Sequence, residues 1–212
     1  MGGLGRLLAV LGMVAGLAAC ADSPRPPPPS PVVSSDPAAA CLAGLDQRHI
    51  VYERIKDWTT PEGCGIQAAV KVKKTDAELS RPAMMTCSLA STIWDYETNV
   101  VQPAAQATFH QAVRKIWHVG TYDCRAERSE HSERKSQHAL GKAIDVTAFE
   151  LDDGTKISVL RDWRDKGDKS EFLHTVAKGA CAYFSVVMTP NANALHHDHL
   201  HLDIGPYKHC GY

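Results

Sequence analysis

The sequence predicts an α+β fold, a small antiparallel sheet with helices packed on one side and stapled by disulfides. Three observations predict it. Helical apolar stripes and strand-like alternations follow one another along residues 41–212 with no internal repeat. Two of the strand-like segments have one apolar face and one polar face. Six cysteines remain once Cys20 is set aside. A chain of 212 residues is long enough for one domain with a real core and tight for two. Hydrophobic content of 44% and charged content of 22% are ordinary for a globular protein. A formal net charge of -1 gives no pull toward nucleic acid, and no such partner is expected.

Residues 1–19 have the build of a signal peptide. Arg6 precedes an apolar run from Leu7 to Ala19 that is too short for a stable bilayer-spanning helix. The run ends in Leu17-Ala18-Ala19-Cys20, which resembles the bacterial lipoprotein processing box. That likeness implies cleavage before Cys20 and lipidation of its thiol. Ala21 after the cysteine, in place of an Asp, then points to the periplasmic side of a Gram-negative outer membrane. An ordinary signal peptide cut nearby at small residues is the alternative, and both readings export the protein. Residues 20–40 are dense in proline, and such a segment favours an extended spacer, here of roughly 60 Å at ~3.1 Å per residue. A membrane tether through Cys20 is the expected use.

The folded domain is expected over 41–212. Ile66, Val70 and Val72 mark a strand within Gly65–Lys73, after the turn Pro61-Glu62-Gly63. Met85, Leu89, Ile93 and Tyr96 fall at helical spacing, as do Phe109, Val113, Ile116 and Trp117 after Pro103. Pro103 suits a first helical turn, where its missing N–H costs nothing. Gly120 to Arg125 reads as a short strand or turn, and the mixed charges of Arg128 to Lys135 as a solvated loop. Lys142 to Phe149 alternates, and Asp152-Asp153-Gly154 turns it into a second strand at Lys156–Val159. Glu171 to Phe184 reads as a helix, Ser185 to Met188 as a strand, Thr189 to Leu195 as a loop and His199 to Ile204 as a last strand. In an exported domain, Cys41, Cys64, Cys87, Cys124, Cys181 and Cys210 suggest three disulfides, with fifteen pairings open. Thiolate metal ligands are disfavoured because no CxxC pair occurs.

Two short stretches carry the chemistry, Ser136 to Asp145 and His196 to His201. Ile144 and Val146 face one way, so Asp145 faces the other; Leu200, Leu202 and Ile204 likewise set His199, His201 and Asp203 on the polar face. Antiparallel pairing of these strands would bring Asp145 and His201 together, with His138 reaching in from the preceding loop. Two imidazoles and a carboxylate suit Zn²⁺ and leave one coordination position open, as catalytic sites do. His199 is placed to move a proton, and His196 to bond a developing oxyanion or share the base role. Asp198 and Asp203 are candidate carboxylates for orienting the imidazoles. Gly141 permits close backbone approach. The remaining histidines, His197 among them, read as surface or satisfied residues.

The pattern Ser136-x-His138-x-x-Gly141-x-Ala143-x-Asp145 followed by His199-x-His201 resembles the LAS metallopeptidases, which include lysostaphin-type enzymes, D-Ala-D-Ala metallopeptidases and the hedgehog fold. The spacing His196-x-x-His199-x-His201 is most similar to penicillin-insensitive murein endopeptidase. Over nearly all of 41–212 the chain resembles the bacterial extensin-like C-terminal family, through Trp94, Val100 to Ala105, Tyr122-Asp123-Cys124-Arg125 and the two site stretches. These likenesses imply a LAS/hedgehog-type peptidase core with His138, Asp145 and His201 as zinc ligands and His199 as the catalytic histidine. The D-Ala-D-Ala carboxypeptidase branch has a Glu three residues before its last ligand, where this chain has Asp198, so His199 is the better base candidate. That branch also uses an upstream arginine, a place Arg125 would fill as a contact to substrate carboxylate or oxyanion. Ser136 joins Arg125 as a candidate substrate contact. The expected function is a zinc peptidase cutting an amide in peptidoglycan stem peptides or cross-links, with endopeptidase action favoured. A zinc-stabilised wall-binding module without catalysis is the alternative, and a metal chaperone a weaker third.

Overall fold

A computed structural model of the chain describes Gly2, residues 36–127 and residues 134–211. The fold belongs to the compact unit Ser34–Tyr212. The expected signal segment, Cys20, most of the spacer and residues 128–133 of the charged run lie outside the described residues.

Helix α1 (Pro37–Gln47) starts four residues before Cys41, capped by the Asp36 carboxylate, which accepts from Ala38 N–H at 2.9 Å. Strand β1 (Val51–Arg54) follows, then a separate two-stranded ribbon of β2 (Trp58–Thr59) and β3 (Gly65–Ile66). The strand expected over Gly65–Lys73 is therefore two, β3 and β4 (Ala69–Lys74), broken at Ala68 with its positive φ of 47°. Next come β5 (Glu78–Thr86) and α2 (Cys87–Tyr96). Met85 ends β5 and is not in the helix. Thr86 is extended and caps α2, its hydroxyl accepting from Leu89 N–H at 3.1 Å.

A π-turn (Glu97–Val101) joins α2 to α3 (Gln102–Phe109), with Pro103 in its first turn. The second expected helix stops there. His110 turns left-handed at φ 56°, and Val113, Ile116 and Trp117 belong to strand β6 (Val113–Gly120). Their spacing fits a helix, but the two β-branched residues and the aromatic one suit a pleated surface equally. The Gln102 side chain seals the turn, accepting from Val113 N–H at 2.8 Å and donating to Val113 C=O at 2.9 Å. The rest is β7 (Ala143–Leu151), β8 (Lys156–Ser158), α4 (Val159–Asp162), α5 (Asp168–Ala180), β9 (Val186–Met188), β10 (Leu200–Asp203) and β11 (His209–Gly211).

Nine strands form one sheet in the order β1-β4-β5-β6-β7-β10-β9-β11, with β8 on β7. The expectation of a small antiparallel sheet is corrected on both counts. The sheet is large, and it is mixed, because β5 runs parallel to β6 and β11 parallel to β9. Val70, Val72, Ile144, Val146, Leu200 and Leu202 from the strands share one buried cluster with Leu45 of α1, Ile93 of α2 and Phe172 and Val176 of α5. Burying a side chain of this size contributes about 1.5–3 kcal/mol, so this cluster is what holds the strands in register. Disulfides join Cys41–Cys87, Cys64–Cys124 and Cys181–Cys210, selecting one of the fifteen pairings. Among the described residues no helix is long and apolar enough to cross a membrane.

Candidate metal centre

β10 pairs antiparallel with β7, and His201 sits directly opposite Asp145. Leu200 and Leu202 on one strand and Ile144 and Val146 on the other are buried in the core, so the alternating residues project from the opposite face. His138 arrives on a 3-10 turn (Gln137–Leu140). The Ser136 hydroxyl caps that turn by accepting from His138 N–H at 3.3 Å, and Gly141 closes it at φ 62°. Asp123 N–H donates to His138 C=O, and Thr86 N–H to Gly141 C=O, which ties the turn to two other segments.

Three atoms converge: Asp145 Oδ1 lies 3.1 Å from His138 Nε2 and 2.9 Å from His201 Nδ1, and the two nitrogens are 3.2 Å apart. A tetrahedral zinc with bonds of about 2.05 Å separates its donors by about 3.3 Å. The triangle is therefore a few tenths of an ångström tight, and the donor set fits a divalent ion with a fourth position open. These are the residues among those described whose ligand atoms gather in this way.

The second ring nitrogen of His201 is also held. His201 Nε2 donates to Asp203 Oδ2 at 3.1 Å, and Asp203 Oδ1 accepts from Gly205 N–H at 2.8 Å. This is the carboxylate–histidine arrangement that fixes a ligand's tautomer, leaving Nδ1 for the metal. His199 places Nε2 3.6 Å from Asp145 Oδ1 and gives its Nδ1 proton to Asp198 Oδ1 at 2.8 Å. The His196 ring lies 5.2 Å from that of His199 and 5.8 Å from that of His201, centre to centre, and its Nδ1 is 2.8 Å from Asn193 Oδ1. His197 stays apart from the converging atoms, its Nδ1 donating to Ala194 C=O at 2.9 Å.

The electrostatics follow from this packing. Burial alone would raise the Asp145 carboxyl, but the hydrogen bonds from His138 and His201 outweigh it and hold the group below the usual carboxylate range. For His201, burial favours the neutral ring, but bonds to Asp145 and Asp203 push its pKa up to about 9. Burial, with the charges of His199 and His201 nearby, pulls His196 down to about 4. The bond to His199 lowers Asp198.

Two hollows flank the triad. One, of about 360 Å³, is lined by Met188, Leu195, His196 and Tyr207, and Ser136 also faces it. The other, of about 440 Å³, is lined by Val119, Asp198 and His199. Arg125, Asp145 and Leu195 border both. Arg125 is not among the converging groups. Its Nε donates to Asp123 Oδ2 at 2.9 Å and its Nη1 to Ala126 C=O at 3.3 Å.

Asn193, Leu195 and Tyr207 went unread in the sequence. For Asn193 a signal existed, since an Asn three residues before a histidine is the spacing of a turn cap. Leu195 and Tyr207 are each half exposed, and nothing in the sequence separates such residues from ordinary surface ones. A family model described as "Extensin-like protein C-terminus" matches residues 39–211. No curated protein and no solved structure matches the chain.

Proposed function

From the premise that this chain belongs to the extensin-like C-terminal family, we propose that it is a zinc-dependent peptidase of the LAS type acting on peptidoglycan. The observation that carries this reading is the convergence of His138, Asp145 and His201 beside two further histidines whose rings are clasped from behind. A purely structural metal site is closed by protein ligands on all sides, whereas this one opens onto two hollows. A zinc ion held by the triad would polarise a carbonyl and lower the pKa of a water toward ~7.

The chain's own residues supply the rest. The Asp198 carboxylate stabilises a positive charge on His199, which suits that ring to take a proton from water and return it to a leaving amine. Asp203 keeps the His201 ring in register with Asp145. Arg125 offers a cation between the hollows, complementary to a substrate carboxylate or carbonyl oxygen. Hollows on both sides of the triad suit a peptide that continues past the cleaved bond, which favours endopeptidase action. The export signal and the tether at Cys20 read from the sequence put the wall within reach, on the periplasmic side of the outer membrane.

The test is digestion of purified sacculi by the zinc-loaded protein, with muropeptides followed by mass spectrometry. New fragments from the wild type, and none from a His199→Ala variant that still holds zinc, are expected. Binding to sacculi with no fragment released would replace the peptidase by a wall-binding module.

A further inference from the structure

His196 and His199 are equivalent rings held by unequal partners, and the difference has a chemical consequence. Asn193 Oδ1 accepts from Leu195 N–H at 2.9 Å and lies 2.8 Å from His196 Nδ1. Turning the amide around would set its NH₂ against the Leu195 N–H, donor against donor, so the atom facing both groups is the oxygen. An amide oxygen cannot donate. The proton of that bond therefore sits on His196 Nδ1, and a neutral imidazole protonated there carries its lone pair on Nε2.

Resting on the peptidase reading above, we propose that Asn193 is a positioning residue. It fixes His196 in the Nδ1–H tautomer, so that Nε2 acts as a hydrogen-bond acceptor for the attacking water and not as a donor to an oxyanion. The sequence left both roles open for His196; in the neutral ring the Asn193 bond excludes the donor role. The pair then differs in its backing: His199 gives its Nδ1 proton to the Asp198 carboxylate, and His196 gives its own to a neutral amide oxygen, which leaves Nε2 of the neutral His196 ring free to accept from water. The same 3-10 turn (Ala194–His196) sends the two neighbouring rings to different hollows, His196 to the one beside Met188 and Tyr207 and His197, bonded to the Ala194 carbonyl, to the one beside Asp198 and His199.

The experiment is ¹⁵N–¹H correlation of the histidine rings in uniformly labelled, zinc-free and zinc-loaded protein, with His196 assigned from the spectrum of His196→Gln. Wild type and Asn193→Asp, which keeps an acceptor oxygen and the turn's cap, are expected to show His196 protonated at Nδ1. Asn193→Ala is expected to show the Nε2–H form. On soluble muropeptides, Asn193→Ala should lose about tenfold to a hundredfold in kcat with KM within twofold, and Asn193→Asp should recover most of that loss. An unchanged His196 tautomer in Asn193→Ala overturns the proposal, and so does an equal loss of kcat in the two variants. If wild-type protein cleaves nothing, the peptidase reading fails, and the tautomer spectra alone decide the role of Asn193.

Discussion

Gly141 links the fold to the site, and replacing it with alanine should damage both. The residue ends the turn that carries His138, at φ 62°, and a Cβ there would lie 2.6 Å from Ile66 Cδ1 and 2.7 Å from Ile66 Cγ1. Ile66 is fully buried and cannot simply swing into solvent. Left-handed backbone costs an alanine about 1–2 kcal/mol. Forcing two carbons apart in a packed interior adds about 1–3 kcal/mol. The sum is ~2–5 kcal/mol, or a fall in Tm on the order of 10 °C for a domain of this size. Because relief of the overlap moves the His138 turn, zinc affinity should fall at least about tenfold as well. Gly154→Ala is the control, since φ is 86° there and the nearest atom is Arg114 Nη2 at 3.9 Å, so only the backbone cost applies. Urea unfolding gives the stabilities and competition with a chromophoric chelator gives the affinities. Ile66→Ala added to Gly141→Ala should disclose coupling by costing less than it does alone. If Gly141→Ala and Gly154→Ala lose equal stability, the contact with Ile66 is not felt and the reasoning is wrong.

Three other expectations concern charge. In the metal-free site His201 keeps its proton up to about 9, so zinc must displace it. The apparent Kd should weaken about tenfold for each unit as pH falls from 8 to 6, and a flat profile in chelator competition would contradict the ligand assignment. Asp203→Asn leaves a weaker acceptor behind His201 Nε2, and zinc affinity measured the same way should drop about tenfold to a hundredfold. Glu97 is wholly buried, accepting from the Thr75 hydroxyl and from the N–H groups of Asp76 and Ala77, and burial raises its pKa from 4.5 to about 8 against those bonds. Its folded pKa lies above its unfolded one, so the stability it carries is complete below about 4.5 and declines as pH rises toward 8. The slope in urea unfolding should be on the order of 1.4 kcal/mol per pH unit, and Glu97→Gln should flatten it.

The site was easier to read from the sequence than the sheet around it, for a physical reason. Asp145 and His201 lie on strands with clean alternation, and period-two alternation is a local property that needs no knowledge of partners. Their opposition across β7 and β10 then follows from antiparallel pairing alone. Other strands of the sheet lacked such a signal. β5 contains Pro82, a residue that argues against a strand interior, yet β5 pairs with β4 through Ala83–Thr86 and Glu78 and with β6 through Glu78 and Leu79, with Pro82 itself in neither register. β11 is three residues long and exposed or half-exposed throughout, so burial wrote no pattern into it. Val113, Ile116 and Trp117 misled because one apolar spacing fits two geometries, and the left-handed turn at His110 that decides between them is made by a residue not usually chosen for it.

The alternation that revealed Asp145 cannot persist along β7. Strict period two would put Phe149 and Leu151 on the same face as Asp145, exposing two large apolar side chains beside a charged site. Both are buried in the core. The register resolves the conflict, because Trp117 pairs with Ala148 and His118 with Val146, which leaves Thr147 as an extra residue. Its hydroxyl bonds the Trp117 carbonyl at 3.2 Å. One inserted residue reverses which positions face inward. Ile144 and Val146 bury before the bulge and Phe149 and Leu151 after it, while Asp145 stays on the open face with His201. The strand therefore serves the core along its whole length and the candidate metal centre at one end. The bulge makes that possible, and neither the residue types nor their spacing alone would place it.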